Sequence, residues 1–336
     1  MTEKKSRPLG VLLINLGTPD APTASAIRRY LSEFLSDRRV IGIPRIIWLP
    51  ILHGFILPFR PRKLVERYAA IWGQEDAPIR IITAELARKV ESSLMARQID
   101  DILVRSAMTY GEPSIKSVLD DLQQSGSNEI LIIPLFPQYS STTTAAVFDK
   151  LAGVVSKLKV LPNIRYATDY HQDQKYIHAI TKSIEARVSD FPPGNRLIFS
   201  FHGLPEIQIK QGDPYRSQCE TTANIIASNL GLVEDQWQLT FQSRFGPAKW
   251  LQPYTSEVLM GLPANGVKQV TVVCPGFAVD CLETLEEVDM LNREIFMNAG
   301  GESYTYIPAL NAENPHVELM TELVCERLFR REHPDY

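Results

Sequence analysis

Eight short runs rich in Val, Ile, Leu and aromatic residues recur along the chain, separated by longer stretches with helical periodicity. This alternation constrains the fold more than any other feature of the sequence. The runs are Leu9–Asn15, Ile102–Ala107, Glu129–Leu135 and Ile164–Thr168, then Arg196–Phe201, Gln238–Gln242, Gln269–Cys274 and Ser303–Ile307. Runs this continuously apolar suit strands buried on both faces, and parallel strands need crossovers that helices supply. Helical patterns stand between them at Ile79–Ala96, Ser114–Gln124, Gln174–Val188, Cys219–Leu230 and Leu282–Phe296. The expectation is an α/β protein with parallel sheets, about four strands in each half. The Pro/Gly break Asp190-Phe191-Pro192-Pro193-Gly194-Asn195 divides the halves, and 336 residues suit two domains. The expected division is a first lobe over 8–190, a second over 191–312, and a C-terminal helix and tail over 313–336. The halves share a local pattern: Gly111-Glu112-Pro113, a helix and EILIIPLFP in one, Gly246-Pro247, a helix and QVTVVCPGF in the other. Two similar doubly wound lobes follow, with ligands expected beyond the strand C-termini, in the cleft between them.

Charge and cysteine content remove several classes of function. Lys and Arg total 35 against 39 Asp and Glu, a net charge of −4, so no positive field recruits nucleic acid. Cys219, Cys274, Cys281 and Cys325 form no C-x-x-C pair, which argues against a zinc ribbon, a redox dithiol or a disulfide scaffold. The polar start, Met1 to Pro8, carries no apolar leader, and cytoplasmic residence is expected. Ile41–Phe59 (IGIPRIIWLPILHGFILPF) is very apolar, but Pro44, Pro50 and Pro58 should break or kink a spanning helix. It is either a buried core segment or an exposed lip that meets an apolar ligand or a membrane surface, beside Arg60, Arg62, Lys63 and Arg67.

Motifs at strand ends carry the chemistry. Asn15-Leu16-Gly17-Thr18-Pro19-Asp20 ends the first strand, yet neither glycine-rich nucleotide fingerprint is present. Phe199-Ser200-Phe201-His202-Gly203-Leu204-Pro205 delivers an imidazole to a strand end, where it can accept a proton, bind a divalent metal or serve structure alone. Asp280, Glu283 and Glu287 follow the strand QVTVVC at i, i+3 and i+7. They are either a solvated acidic stripe or cleft-facing carboxylates that, with His202, offer metal ligands or an acid–base pair. The hydroxyls of PLFPQYSSTTT should cap the next helix, with Tyr139 a further pocket candidate; Tyr68, Trp72, Trp250 and Phe277 are aromatic candidates for core or pocket wall.

Leu197–Cys219 (LIFSFHGLPEIQIKQGDPYRSQC) resembles the ferrochelatase signature, with NLGTPD, PLFPQYSSTTT and PGFAVDCLETLEE in the family's order from Pro8 to about Arg330. The resemblance implies two Rossmann-like lobes with parallel four-stranded sheets around a porphyrin cleft. It also implies insertion of Fe²⁺ into protoporphyrin IX, giving protohaem and two protons. On that resemblance His202 is the essential histidine and Glu283 the facing carboxylate, both candidate ligands of the incoming iron, and Asp280 and Glu287 continue an acidic path. Leu16, Tyr68 and Phe277 line the macrocycle pocket, with Tyr139 kept beside them as a substrate-binding candidate, Arg60 meets a propionate, and Ile41–Phe59 is a lip that can touch membrane. Cys281 stands where some relatives have histidine, and the tail holds one cysteine, Cys325, too few for the iron–sulfur cluster of some members. No cluster and no tightly bound cofactor are expected. Coproporphyrin III, used by one branch of the family, is the alternative substrate, and a non-catalytic haem or porphyrin carrier is the alternative function.

Overall fold

The computed structural model describes residues 7–188, 191, 192 and 194–329. Asp190 and Pro193 of the expected junction, and residues 330–336 of the expected tail, lie outside the described residues. Two four-stranded parallel sheets organise the chain. The first comprises β1 (Leu9–Gly17), β2 (Ile102–Tyr110), β3 (Glu129–Pro134) and β4 (Asn163–Tyr166) in the order β2-β1-β3-β4. The second comprises β5 (Asn195–His202), β6 (Trp237–Gln242), β7 (Gln269–Val273) and β8 (Ser303–Ile307), in the same order, β6-β5-β7-β8. All eight expected strands are present, with ends shifted by up to three residues.

The helices follow in chain order. They are α1 (Ala24–Leu35), α2 (Arg45–Ile51), α3 (Leu57–Ile71), α4 (Pro78–Ala96), α5 (Ile115–Gln124), α6 (Thr144–Val155), α7 (Gln174–Glu185), α8 (Glu206–Lys210), α9 (Tyr215–Asn229), α10 (Thr255–Gly261), α11 (Arg293–Asn298) and α12 (Asn314–Phe329). Strand alternation decides which helix covers which face. On β1, Val11 and Leu13 join Leu86, Val90 and Leu94 of α4, whereas Leu12 and Ile14 join Leu119 and Leu122 of α5 and Val147 and Leu151 of α6. On β5, Leu197, Phe199 and Phe201 pack with Cys219, Ala223 and Ile226 of α9. The final helix returns to the first lobe. Met320 and Val324 share its core, Lys89 Nζ donates to Ala312 O at 2.8 Å, and Arg97 grips Glu322 at 2.6 Å and Glu318 at 2.7 Å.

Two segments depart from the expected helices. Leu282–Phe296 is not one α-helix: Glu283–Asn292 is π-helical and passes into α11. In the lip, prolines do not interrupt the helical run. Pro44 immediately precedes α2, Pro50 lies inside it and Pro58 falls in the first turn of α3, and a π-turn over Leu52–Ile56 joins the two helices, its i→i+5 bonding giving slack where proline removes a donor. The segment is neither wholly core nor wholly lip. Trp48, Leu52 and Leu57 are buried against α1, and Trp48 Nε1 donates to Leu35 O at 2.6 Å. Ile46 (86% exposed), Ile47, Phe55 (69%) and Phe59 point to solvent. Among the described residues, no helix is long and apolar enough to cross a membrane.

Candidate active site

In a doubly wound sheet the crevice opens where successive connections leave in opposite directions. With the order 2-1-3-4 that point lies between β1 and β3, and between β5 and β7 in the second sheet. The motifs singled out from sequence stand at these ends: Leu16 and Gly17 on β1, the PQYSS loop after β3, His202 on β5, and Pro275-Gly276-Phe277 after β7.

His202 is half-buried, and its Nδ1 lies 2.7 Å from Gly203 O. A carbonyl can only accept, so this bond requires Nδ1–H and leaves Nε2 with its lone pair free for a proton or a metal. Gly203 is the only residue that fits the bend. A Cβ there would stand 2.8 Å from Gln242 O and 3.2 Å from Trp250 Cε3. Trp250 packs on the imidazole with ring centres 6.4 Å apart.

The carboxylates come from the π-helical turn, which the end of β6 ties to the His202 strand. Gln242, at the end of β6, donates Nε2–H to Glu283 O at 2.9 Å and accepts from Ser200 Oγ at 2.7 Å, tying the His202 strand to the turn that carries Glu283. Its neighbour Ser243 takes a left-handed φ of 66° and donates N–H and O–H to the Glu287 carboxylate at 2.7 and 2.5 Å. Burial pushes the Glu287 carboxyl above its ordinary value; Ser243 and the nearby His202 oppose the shift, and Glu283 adds to it. Glu287 is thus the electrostatic neighbour of both residues. Glu283 also acts on Tyr68 and Tyr30 of the first lobe, phenols that burial already pushes well up.

The first lobe adds neighbours to this turn. Leu16 packs with Tyr68 and Leu282 in one apolar cluster. Arg67 pairs with Glu286 at 3.3 Å, fastening α3 to the π-helix. Arg60 lies over the Phe245 ring at 4.0 Å, and burial pulls its guanidinium below its ordinary value. Among the described residues no carboxylate lies within 4.0 Å of it. Phe277 packs between the cores on either face of the second sheet.

Two expected residues stand elsewhere. Asp280 is 4% exposed and saturated: it accepts from Thr284 Oγ1 at 2.9 Å, Tyr306 O–H at 2.6 Å, Ala309 N–H at 3.2 Å and Asn311 Nδ2 at 2.7 Å. It precedes the π-helix and anchors its start, so the structure does not group it with Glu283 and Glu287. Tyr139 belongs to another cluster, where its phenol interacts with Arg39 and Tyr166 and its N–H donates to Gln218 at 2.6 Å. Nor do the hydroxyls of this loop cap α6: Thr143 makes no side-chain cap bond, and Ser140 Oγ and Ser141 N–H instead donate to Asp213 of the second lobe at 3.1 and 2.7 Å.

Gln242, Ser243 and Tyr30 were not singled out from the sequence. The one signal available for the first two was their place at a strand C-terminus, the criterion that selected His202. Among the described residues no three His, Cys, Asp or Glu side chains form a ready metal cage. The arrangement instead offers one imidazole lone pair on His202, the neighbouring carboxylates of Glu283 and Glu287, and in Arg60 a cation that among the described residues has no carboxylate within 4.0 Å. It can accept protons and attract a cation without enclosing it.

Comparison with known proteins agrees. The family model described as Ferrochelatase matches residues 8–328. A ferrochelatase of Marinobacter nauticus is 47% identical over 95% of this chain and 86% of its own length, and one of Aeromonas hydrophila is 45% identical over 95% and 98%. A coproporphyrin III ferrochelatase of Streptococcus mutans is 47% identical over 95% and 98%. In fold, the chain resembles SirB from Bacillus subtilis with Fe³⁺ (TM-score 0.56, 12% identity, 95% of each chain). It also resembles CbiX, the terminal enzyme of sirohaem biosynthesis in denitrifying bacteria (TM-score 0.52, 15% identity, 95% and 99%). The chain belongs to the ferrochelatase family, and with it to the metal-chelating lyases of haem synthesis.

Proposed function

We propose that this chain inserts Fe²⁺ into protoporphyrin IX, forming protohaem and releasing two protons. The observation that carries this reading is geometric: the end of β6, beside the His202 strand, holds the Glu283 backbone through Gln242 and the Glu287 carboxylate through Ser243, next to an imidazole whose Nε2 is left free. Metallation requires four nearly coplanar nitrogens to lose two protons and a hydrated cation to lose its water. A cleft that holds the ring bent turns the pyrrole N–H bonds and lone pairs toward its walls. His202 Nε2 accepts a pyrrole proton or meets the iron first; Glu283 stands on the other side of the ring as ligand or proton acceptor; and Glu287, its carboxyl raised by burial, takes protons onward. Leu16, Tyr68 and Phe277 pack on the macrocycle, and Arg60 is free to pair with a propionate. Cys219, Cys274 and Cys281 are buried thiols pushed up by burial, which supports a structural role and no iron–sulfur cluster.

Protoporphyrin IX carries vinyl groups where coproporphyrin III carries two further propionates. The apolar side chains of Ile41–Phe59 support the less charged ring, and with it a cytoplasmic enzyme that sits peripherally on the membrane through this lip. Anaerobic turnover with Fe²⁺ and each porphyrin, followed by the visible spectrum, tests the substrate. Protoporphyrin IX should be favoured in kcat/KM by about ten-fold or more, the scale of ~1.4 kcal/mol of differential binding. The reverse preference would assign the coproporphyrin reaction.

A further inference from the structure

A second hollow, of about 830 Å³, opens between α1, the lip and α6, and the chemistry above makes no use of it. Its lining is strongly charged. The acids present are engaged: Glu33 by Lys150 at 2.7 Å, Asp37 by the Tyr110 hydroxyl at 2.9 Å, and Asp149 by Arg39 at 2.8 and 3.1 Å. Arg29 turns to Asp20 at 3.0 Å. That leaves Arg28, Arg38 and Arg45, which among the described residues have no carboxylate within 4.0 Å, and beside them His53.

Three guanidiniums without a carboxylate partner line the hollow against one carboxylate, Asp37, that no cation among the described residues neutralises, which leaves an excess of positive charge, and the guanidinium fork suits phosphate oxygens. The surroundings narrow the choice of anion. Arg45 opens α2, and the next two residues are the exposed Ile46 and Ile47; His53 lies two residues before the exposed Phe55. A cationic hollow bordered by solvent-facing apolar side chains matches a molecule with an anionic head and an aliphatic body. A zwitterionic head would bring its own ammonium group against the three guanidiniums.

We propose that this hollow seats the phosphodiester headgroup of an anionic phospholipid while the lip's apolar side chains enter the acyl layer beside it. The inference rests on the membrane reading above and adds the class of lipid and the residues that select it. The lip alone would partition into any bilayer; the hollow makes docking depend on lipid charge.

The test is flotation of the full chain with phosphatidylcholine vesicles and with mixed phosphatidylcholine–phosphatidylglycerol vesicles at one salt concentration. Wild type should bind the mixed vesicles about 10–100-fold more tightly, as expected for three cations at an anionic surface. The R28Q/R38Q/R45Q variant should lose that preference while keeping its residual binding to phosphatidylcholine and its vesicle-free metallation rate. A control of equal charge change, K157Q/K159Q/K210Q, should keep the preference, and inorganic phosphate should displace the vesicles only at concentrations well above that of the lipid phosphate. The proposal is overturned if the arginine variant retains the preference, if the lysine control loses as much, or if inorganic phosphate at no more than the lipid-phosphate concentration displaces the vesicles. Equal binding of wild type to both vesicles overturns the headgroup site and leaves the membrane reading standing; binding to neither removes both.

Discussion

Gly203 and His202 act as one unit: the glycine carbonyl fixes the imidazole tautomer, and the missing Cβ lets the bend lie against Gln242 and Trp250. Gly203→Ala places a methyl 2.8 Å from a backbone oxygen and should cost about 1–3 kcal/mol in a urea titration, with slower metallation even where folded. Ser243→Ala removes a hydroxyl bond to a buried carboxylate, worth about 1.5–3 kcal/mol, so kcat should fall roughly 10–100-fold while KM for the porphyrin stays unchanged. A change confined to KM would place Ser243 in substrate binding instead. His316 offers a pH test far from the cleft. It is fully buried, its Nδ1–H serves Asn311 O, and its Nε2 has no partner, so burial pushes its value down from 6.5 to about 4. Between those values the unfolded chain binds the proton and the folded chain does not. Its stabilising contribution is therefore complete above about pH 6.5 and is lost as pH falls toward 4, on the order of 3 kcal/mol in all. Unfolding free energies measured from pH 7 to 4 should show this slope in wild type and a shallower one in His316→Gln. At this scale the place of His202 at the end of β5 was legible, because an apolar run that ends in His-Gly is distinctive. Gln242 and Ser243 were not, because amides and hydroxyls end many strands and only the fold shows what they hold.

The elements explain why three carboxylates spaced i, i+3, i+7 do not act as one stripe. An α-helical reading puts Asp280, Glu283 and Glu287 on a common face. The chain instead begins a π-helix at Glu283, leaving Asp280 outside it as an anchor, while Glu283 and Glu287 stand one wide turn apart. Side-chain identities encode apolar periodicity but not whether the backbone bonds i→i+4 or i→i+5, so this departure was not readable in advance. Asp280→Ala would strand the Tyr306, Ala309 and Asn311 donors and should destabilise the fold by about 2–4 kcal/mol, with turnover per folded molecule close to wild type. Stability unchanged with turnover lost would return Asp280 to a proton path. The lip follows the same logic. Its prolines marked a disturbed helix correctly, but the disturbance is absorbed by a π-turn, not by a break.

Across the whole molecule, the repeated strand order was foreshadowed by the matching Gly-Pro turns, helices and apolar runs of the two halves. Their joining was not, because contacts between distant segments leave no local pattern. The lobes are held by Gln138 to Thr222 at 3.0 Å, by Tyr176 O–H to Pro275 O at 2.6 Å, and by Asp213 to the Ser140-Ser141 turn. Asp213, in the Gly212-Asp213-Pro214-Tyr215 stretch of the second lobe, is therefore a clasp on the loop that follows β3. The proposed chemistry depends throughout on the imidazole at the end of β5. Its most direct test is single-turnover metallation of protoporphyrin IX by anaerobic Fe²⁺ in wild type and His202→Ala, with porphyrin affinity measured in parallel by fluorescence quenching. The variant should bind porphyrin within a few-fold of wild type yet form haem at least about 100-fold more slowly; haem formation at a rate near wild type would contradict the account.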